Sequence, residues 1–167
     1  MNRKPDPTPQ RIRELLTYDQ NSGAFHWKAR AGVHRTGRIA GSLCRKDGYV
    51  IISIDRTKRP AHRLAWAYVY GEWPKRLIDH INGVRTDNRI ANLRDVDQST
   101  NLQNRKRPTE NSYSGVLGAH YSKSKRRYYA SILVRGKVHR LGSFLTAAEA
   151  GLAYQNAKRR LHEGYVE

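Results

Sequence analysis

Asp79 and His80 adjoin in the stretch Leu77-Ile78-Asp79-His80-Ile81-Asn82-Gly83, and amides recur after them at Asn88, Asn92, Asn101 and Asn104. A carboxylate and an amide carbonyl are hard oxygen donors of the kind that suits Mg²⁺, which keeps several of its waters. An imidazole titrates near neutrality and can take a proton from an attacking water. The chemistry open to such a set is hydrolysis of a phosphodiester. That bond resists attack because its charge repels nucleophiles and its leaving alkoxide is poor, and one divalent cation relieves both problems. Neighbours on a regular strand point to opposite faces, so Asp79 and His80 converge only if the strand ends there. Asn82-Gly83 supplies that break. Taken singly, each residue also fits an ordinary role: Asn82-Gly83 is a turn dipeptide, and Asn88 and Asn92 are loop amides. Taken together, within a frame of apolar residues, they favour the chemistry.

The frame reads as strand, loop, strand and helix. Leu77 and Ile78 lead into Asp79, Leu93 to Val96 returns, and Gln98 to Arg105 forms a helix behind Asp97, with Asn101 and Asn104 three apart on one face. Upstream, Pro9 to Leu16 predicts a helix capped by Thr8, and Ala24 to Lys28 a strand. Arg38 to Leu43 and Tyr49 to Ile54 predict two more strands about the turn Lys46-Asp47-Gly48. Ala61 to Tyr70 reads as a helix ending at Gly71. Residues 105–112 are basic, polar and broken by Pro108, the marks of a linker. Beyond them come strands at Val116–Tyr121, Arg127–Val134 and Lys137–Leu141, then a helix from Ala147 to Leu161 with Thr146 and Glu149 as a capping box.

The 167 residues carry a net charge of +18, a field that favours polyanions: DNA, RNA or an anionic membrane surface. The excess is uneven, at +8 over residues 1–60, +1 over 61–104, +2 over 105–112 and +7 over 113–167. The segment with the candidate site is nearly neutral, and its flanks hold the surplus. No apolar run approaches the ~20 residues of a membrane span, and the N-terminus lacks an apolar signal stretch; both point to a cytoplasmic protein without a membrane partner. The single cysteine, Cys44, rules out an intrachain disulfide and a Cys-x-x-Cys zinc site.

The segment His62-Arg63-Leu64-Ala65-Trp66, Gly71-Glu72-Trp73-Pro74, Ile78-Asp79-His80-Ile81-Asn82-Gly83, Asp87-Asn88-Arg89, Asn92-Leu93-Arg94, Asn101 and Asn104 resembles the phage and intron-encoded HNH homing endonucleases. The resemblance implies an α+β fold with a ββα-metal (His-Me finger) core and DNA cleavage with one divalent ion, Mg²⁺ or Mn²⁺. It implies His80 as general base, Asp79 and Asn101 as metal ligands, and Asn92 as the amide that braces the loop and orients the histidine. Asn88 and Asn104 fall to support or phosphate contact. His62 recurs in the pattern, with core packing and phosphate contact both open. By the same resemblance the host is a bacterial or phage-infected cell.

Residues 113–167, with Ser114-Gly115-Val116, Tyr129-Ala130-Ser131-Ile132, Arg140-Leu141-Gly142-Ser143-Phe144 and Ala147-Ala148-Glu149-Ala150, resemble the plant ethylene-response-factor type of DNA-binding domain. That resemblance implies a three-stranded antiparallel sheet backed by a helix, with the sheet in the major groove. The arginines and tryptophans of the plant reading face are here Leu117, Ala119, Ser131 and Leu133, so the base code does not transfer. Alternation assigns Tyr121, Tyr129 and Arg140 to DNA and Ala130, Ile132 and Leu141 to the helix, with His139 also inward. Lys123, Lys125, Arg126 and Arg127 form a loop suited to phosphates, which position without specifying.

The expected organisation is a small N-terminal β-rich leader over 1–60, a nuclease core over 61–106, a linker over 107–112 and a DNA-binding domain over 113–167. Lys28, Arg30, Arg35, Arg38, Arg45 and Lys46 in the leader either touch DNA or simply pack and solubilise. The favoured function is a homing or nicking DNA endonuclease acting on double-stranded DNA as a monomer or weak dimer. The alternatives are a DNA-binding regulator with a vestigial core, and an RNA-binding protein.

Overall fold

The computed structural model describes residues 5–29 and 34–165, so Arg30 of the leader lies outside the described residues. The chain divides into two units, Met1–Asp97 and Gln98–Glu167.

In the first unit, α1 (Pro9–Leu15) starts where the Thr8 hydroxyl accepts from the Arg11 N–H at 3.1 Å. It runs directly into β1 (Leu16–Tyr18), which pairs antiparallel with β2 (Phe25–Trp27). A second sheet has the order β3 (Ser42–Leu43), β4 (Val50–Ile54), β5 (Thr57–Pro60). Then come α2 (Ala61–Tyr70), closed by a left-handed Gly71, and the two-stranded ribbon of β6 (Leu77–His80) and β7 (Leu93–Val96). Ile12 and Leu16, Phe25, Ile52 and Ile54, Leu64 and Ala65, Ile78 and Leu93 are all buried in one core.

Residues of the leader and of the β6–β7 ribbon contribute to the same buried cluster. β1 and β5 were not anticipated. Thr57-Lys58-Arg59-Pro60 has no apolar alternation, and its hairpin turns on Asp55 and Arg56, both at positive φ (48° and 64°), without the Asn-Gly or Asp-Gly that usually signals such a turn. The strand expected over Arg38–Leu43 keeps only Ser42–Leu43 in its sheet, with one isolated bridge from Ile39 to His26.

The second unit begins with α3 (Gln98–Gln103) and continues into a sheet of order β10 (Lys137–Phe144), β9 (Arg127–Val134), β8 (Ala119–Ser122), followed by α4 (Ala147–Leu161). The capping box forms: Thr146 Oγ1 accepts from the Glu149 N–H at 3.2 Å and Glu149 Oε2 accepts from the Thr146 N–H at 3.1 Å. Ala119, Ala130 and Ala150 make the small buried centre between sheet and α4, ringed by Tyr128, Phe144 and Tyr154.

Directly opposed residues of an antiparallel pair share a face. Ala119 opposes Ala130 and Tyr121 opposes Tyr128, so Tyr121 and Ala119 lie on the helix side, not on the outer face assigned to them from the sequence. Tyr121 stacks there at 4.9 Å from Tyr128 and 5.3 Å from Tyr113. Tyr129 opposes His120 and Ser143, and Arg140 opposes Ser131, on the other face. A bulge between Arg140 and Gly142 switches the alternation within β10. It seats Leu141 and Phe144 against the core and carries the strand past Leu141. Among the described residues no helix is long and apolar enough to cross a membrane.

Candidate active site

β6 ends at His80 because Asn82 and Gly83 turn the chain, with the Gly83 N–H donating to the His80 carbonyl at 2.8 Å. The excursion from 81 to 92 is then closed by amides. Asn92 Oδ1 accepts from the Asn82 N–H at 3.0 Å, and Asn92 Nδ2 donates to Asn82 Oδ1 at 3.0 Å and to the Asp87 carbonyl at 2.9 Å. Asn82 Nδ2 donates in turn to Asp87 Oδ2 at 2.7 Å. The Arg89 guanidinium on Asp87 holds that carboxyl down at about 2. Asn92 is therefore the brace of the loop, while the contact to the histidine ring comes from Asn88, whose Oδ1 lies 3.4 Å from His80 Nε2. Asn88 is itself pinned: its Nδ2 donates to the Thr86 carbonyl at 3.1 Å and its own carbonyl accepts from Tyr18 Oη at 2.7 Å. Burial pushes the Tyr18 phenol up to about 12, so it stays a donor.

The leader also meets this loop through Gly23. A methyl at Gly23 would sit 2.4 Å from the Arg89 nitrogen and 2.5 Å from the Asn88 carbonyl carbon, and the residue holds φ +73°. Nothing larger than hydrogen fits there.

Three rings gather at the site. His80 is 4% exposed, with the His62 ring 5.0 Å away and nearly perpendicular, and Tyr49 5.8 Å away. Tyr49 also lies 4.9 Å from His62 and carries the Arg85 guanidinium at 5.1 Å. Burial lowers the pKa of His80 below the usual 6.5, opposed by Asn88 and the Asp79 charge. The ring is then neutral near pH 7. The Asn88 Oδ1 facing Nε2 fits the tautomer with its hydrogen on that nitrogen. His62 is held down further, to about 3, chiefly by burial and next by the charge of His80.

Asp79 is buried, and both Nε and Nη2 of Arg94 donate to its Oδ2, at 2.9 and 2.8 Å. The two residues oppose each other across β6 and β7. Asn101 sits on α3 and Asn104 just after it, buried, both in the second unit. Among the described residues there is no group of three or more His, Cys, Asp or Glu that could hold a metal ion. The Asp79 carboxylate is a hard oxygen donor of the kind that Mg²⁺ takes, and the Asn101 and Asn104 side chains carry amide oxygens of the same hard type. Arg94 is ion-paired with the Asp79 carboxylate.

Of the basic residues expected at nucleic acid, Lys123, Lys125 and Arg126 lie on the exposed turn between β8 and β9, with Lys125 Nζ 6.0 Å from the Tyr129 ring; Arg127 opens β9 and Arg140 is exposed on β10. Sequence reasoning passed over Tyr18, Gly23, Tyr49 and the Arg94 contact. The first three come from the leader, far away in the chain, and carry no local signal. Arg94 could have been found, because it lies where a strand returning to Asp79 must pass it.

A family model described as HNH endonuclease matches residues 59–103, from the end of β5 through α3. No curated protein and no solved structure matches the chain significantly. The family match supports an HNH-type nuclease, a class that acts on DNA and generally uses a divalent metal.

Proposed function

We propose that this chain is a divalent-metal-dependent DNA endonuclease of the nicking or homing type. The observation that carries the reading is the braced loop from 80 to 92. It ends β6 at a buried, neutral His80 beside Asp79, within the stretch that the HNH family model matches. His80 takes the proton of the attacking water at Nδ1, and Asn88 keeps Nε2 occupied so that the tautomer is the right one. Asp79 and Asn101 are the oxygen ligands in this reading, with Asn92 holding the loop and Asn104 supporting α3. Held by these oxygens, an Mg²⁺ or Mn²⁺ ion would supply Lewis-acid polarisation of the phosphate and charge stabilisation for the leaving oxygen. The exposed residues Lys123, Lys125, Arg126, Arg127 and Arg140, with the half-buried Tyr129, supply phosphate contacts to the duplex; Tyr121, on the helix side of the sheet, supports their strand. One site per chain cuts one strand.

The test is conversion of supercoiled plasmid to open circle under Mg²⁺, Mn²⁺ or EDTA, for the parent and His80→Ala. The parent nicks only with divalent metal and the variant does not. Equal rates for the two proteins would refute the base assigned here. A parent that binds DNA and never cuts it would leave a binding protein in place of the enzyme.

A further inference from the structure

Helix α3 has six residues, and none of them is buried. A helix of one and a half turns does not hold itself together in water, so its stability comes from what fastens it. Two fastenings come from the end of α4. Lys158 is only 2% exposed, and its ammonium donates to the main-chain carbonyl of Arg105, two residues past the end of α3. Lys158 also lies 4.7 Å from the Tyr165 ring, with Lys106 at 4.9 Å on the same ring. The second fastening is Gly164, whose N–H donates to Gln103 Oε1 at 2.9 Å. Gly164 lies so close that a methyl on it would be 2.8 Å from both Thr100 Cγ2 and the Thr100 carbonyl. Thr100 and Gln103 share one face of α3, and Asn101 is the next residue round, rotated by about 100°.

A buried lysine is costly. Burial, with the charges of Lys106 and Arg105, lowers its pKa to about 8. A leucine at 158 would complete the apolar face of α4 at no such cost. The contacts that the lysine makes and a leucine could not are the cation–π contact with Tyr165 and the hydrogen bond just past the end of α3.

We propose that Lys158 and Gly164 are positioning residues for the nuclease reaction: the C-terminal unit holds α3 and so sets Asn101, making cleavage depend on the tail beyond its use in binding DNA. This rests on the endonuclease reading, which assigns Asn101 to the metal.

The experiment uses the full chain with Lys158→Met, Lys158→Arg and Gly164→Ala. Three quantities are measured: amide hydrogen exchange over residues 98–105, nicking rate against Mg²⁺ concentration, and affinity for a short duplex. In Lys158→Met and Gly164→Ala, exchange in α3 accelerates while α2, β6, β7 and β9 keep their protection. The Mg²⁺ needed for half-maximal nicking rises by about tenfold or more, the usual result of removing a group that orients a metal ligand. Duplex affinity stays within about twofold, because phosphate contacts set it. Lys158→Arg, which retains a donor and a cation, restores most of the lost activity. Unchanged exchange in α3 overturns the proposal, as does faster exchange with the Mg²⁺ dependence of the parent. Loss of protection in β9 as well would mean the unit had unfolded, and the decision then rests on Lys158→Arg, which must keep β9 protected and nick near the parental rate. If the parent itself never nicks, the endonuclease reading falls and the positioning role with it, while the exchange data still show whether the tail holds the helix.

Discussion

Replacing His62 with leucine tests the site's electrostatics without touching its chemistry. The imidazole is 6% exposed, and its Nδ1 has no hydrogen-bond partner among the described residues. Its pKa in the fold is about 3 against the usual 6.5. Below pH 6.5 the unfolded chain binds a proton at His62 that the folded chain refuses, so stability is present in full above 6.5 and is lost as pH falls towards 3. The slope is about 1.4 kcal/mol per pH unit, and between pH 6.5 and 3.5 the loss is on the order of 4 kcal/mol. That is a large part of the ~5–15 kcal/mol that holds a typical domain together. Leucine fills a similar volume and does not titrate. The variant should match or exceed the parent at pH 7.5, where burying a polar nitrogen without a partner costs the parent about 1–3 kcal/mol, and outlast it increasingly as pH falls. Urea unfolding followed by tryptophan fluorescence reads this directly, because Trp27, Trp66 and Trp73 all pack on the core of the first unit. His80, also held below its usual value, titrates in both proteins, and its charge coupling to His62 is part of the difference between them. Parallel stability curves for the two proteins between pH 6.5 and 3.5 would refute the assignment of a buried neutral ring at 62.

Three further outcomes follow from the same structure. Asn92→Ala removes three side-chain hydrogen bonds, worth about 0.5–1.5 kcal/mol each, so urea unfolding of the first unit should show a loss of about 2–4 kcal/mol; a change under about 0.5 kcal/mol would contradict the brace. Arg94→Met leaves the buried Asp79 without its guanidinium and should cost about 3 kcal/mol. Added Mg²⁺ should recover part of that loss in a thermal melt, and a melt indifferent to Mg²⁺ would count against a cation at Asp79. Duplex binding should weaken by about 10³-fold or more between roughly 50 and 200 mM salt, as Lys and Arg displace condensed counterions; a flat response would remove the exposed basic residues from the interface.

How much of this was legible beforehand depended on how local the signal was. Thr146 and Glu149 make their capping box as the spacing requires, and Gly71 ends α2 in the left-handed conformation, because caps are decided by residues three or four apart. β7 and β9 keep their expected bounds, Leu93–Val96 and Arg127–Val134. Tyr121 was misplaced because facing depends on what stands opposite, and Ala130 and Tyr128 decide that. The Asp79-His80 pair was evident as chemistry, yet nothing near it in the chain indicates that Tyr18 and Gly23 hold the Asn88 segment or that Tyr49 and His62 enclose the imidazole.

The amino-acid order alone determined the types of donor and base, the strand, loop, strand and helix order around them, and a charge suited to polyanions. Those follow from side-chain chemistry and from backbone preferences that act within a few residues. Tertiary structure decided that the leader and the β6–β7 ribbon share one core, that Arg94 is the partner of Asp79, and that α3 is fastened by Lys158 and Gly164. The contacts of Arg94, Lys158 and Gly164 join residues 15, 53 and 61 positions apart. They exist only because burying apolar surface brings their elements together, and no local preference records which pairs will meet.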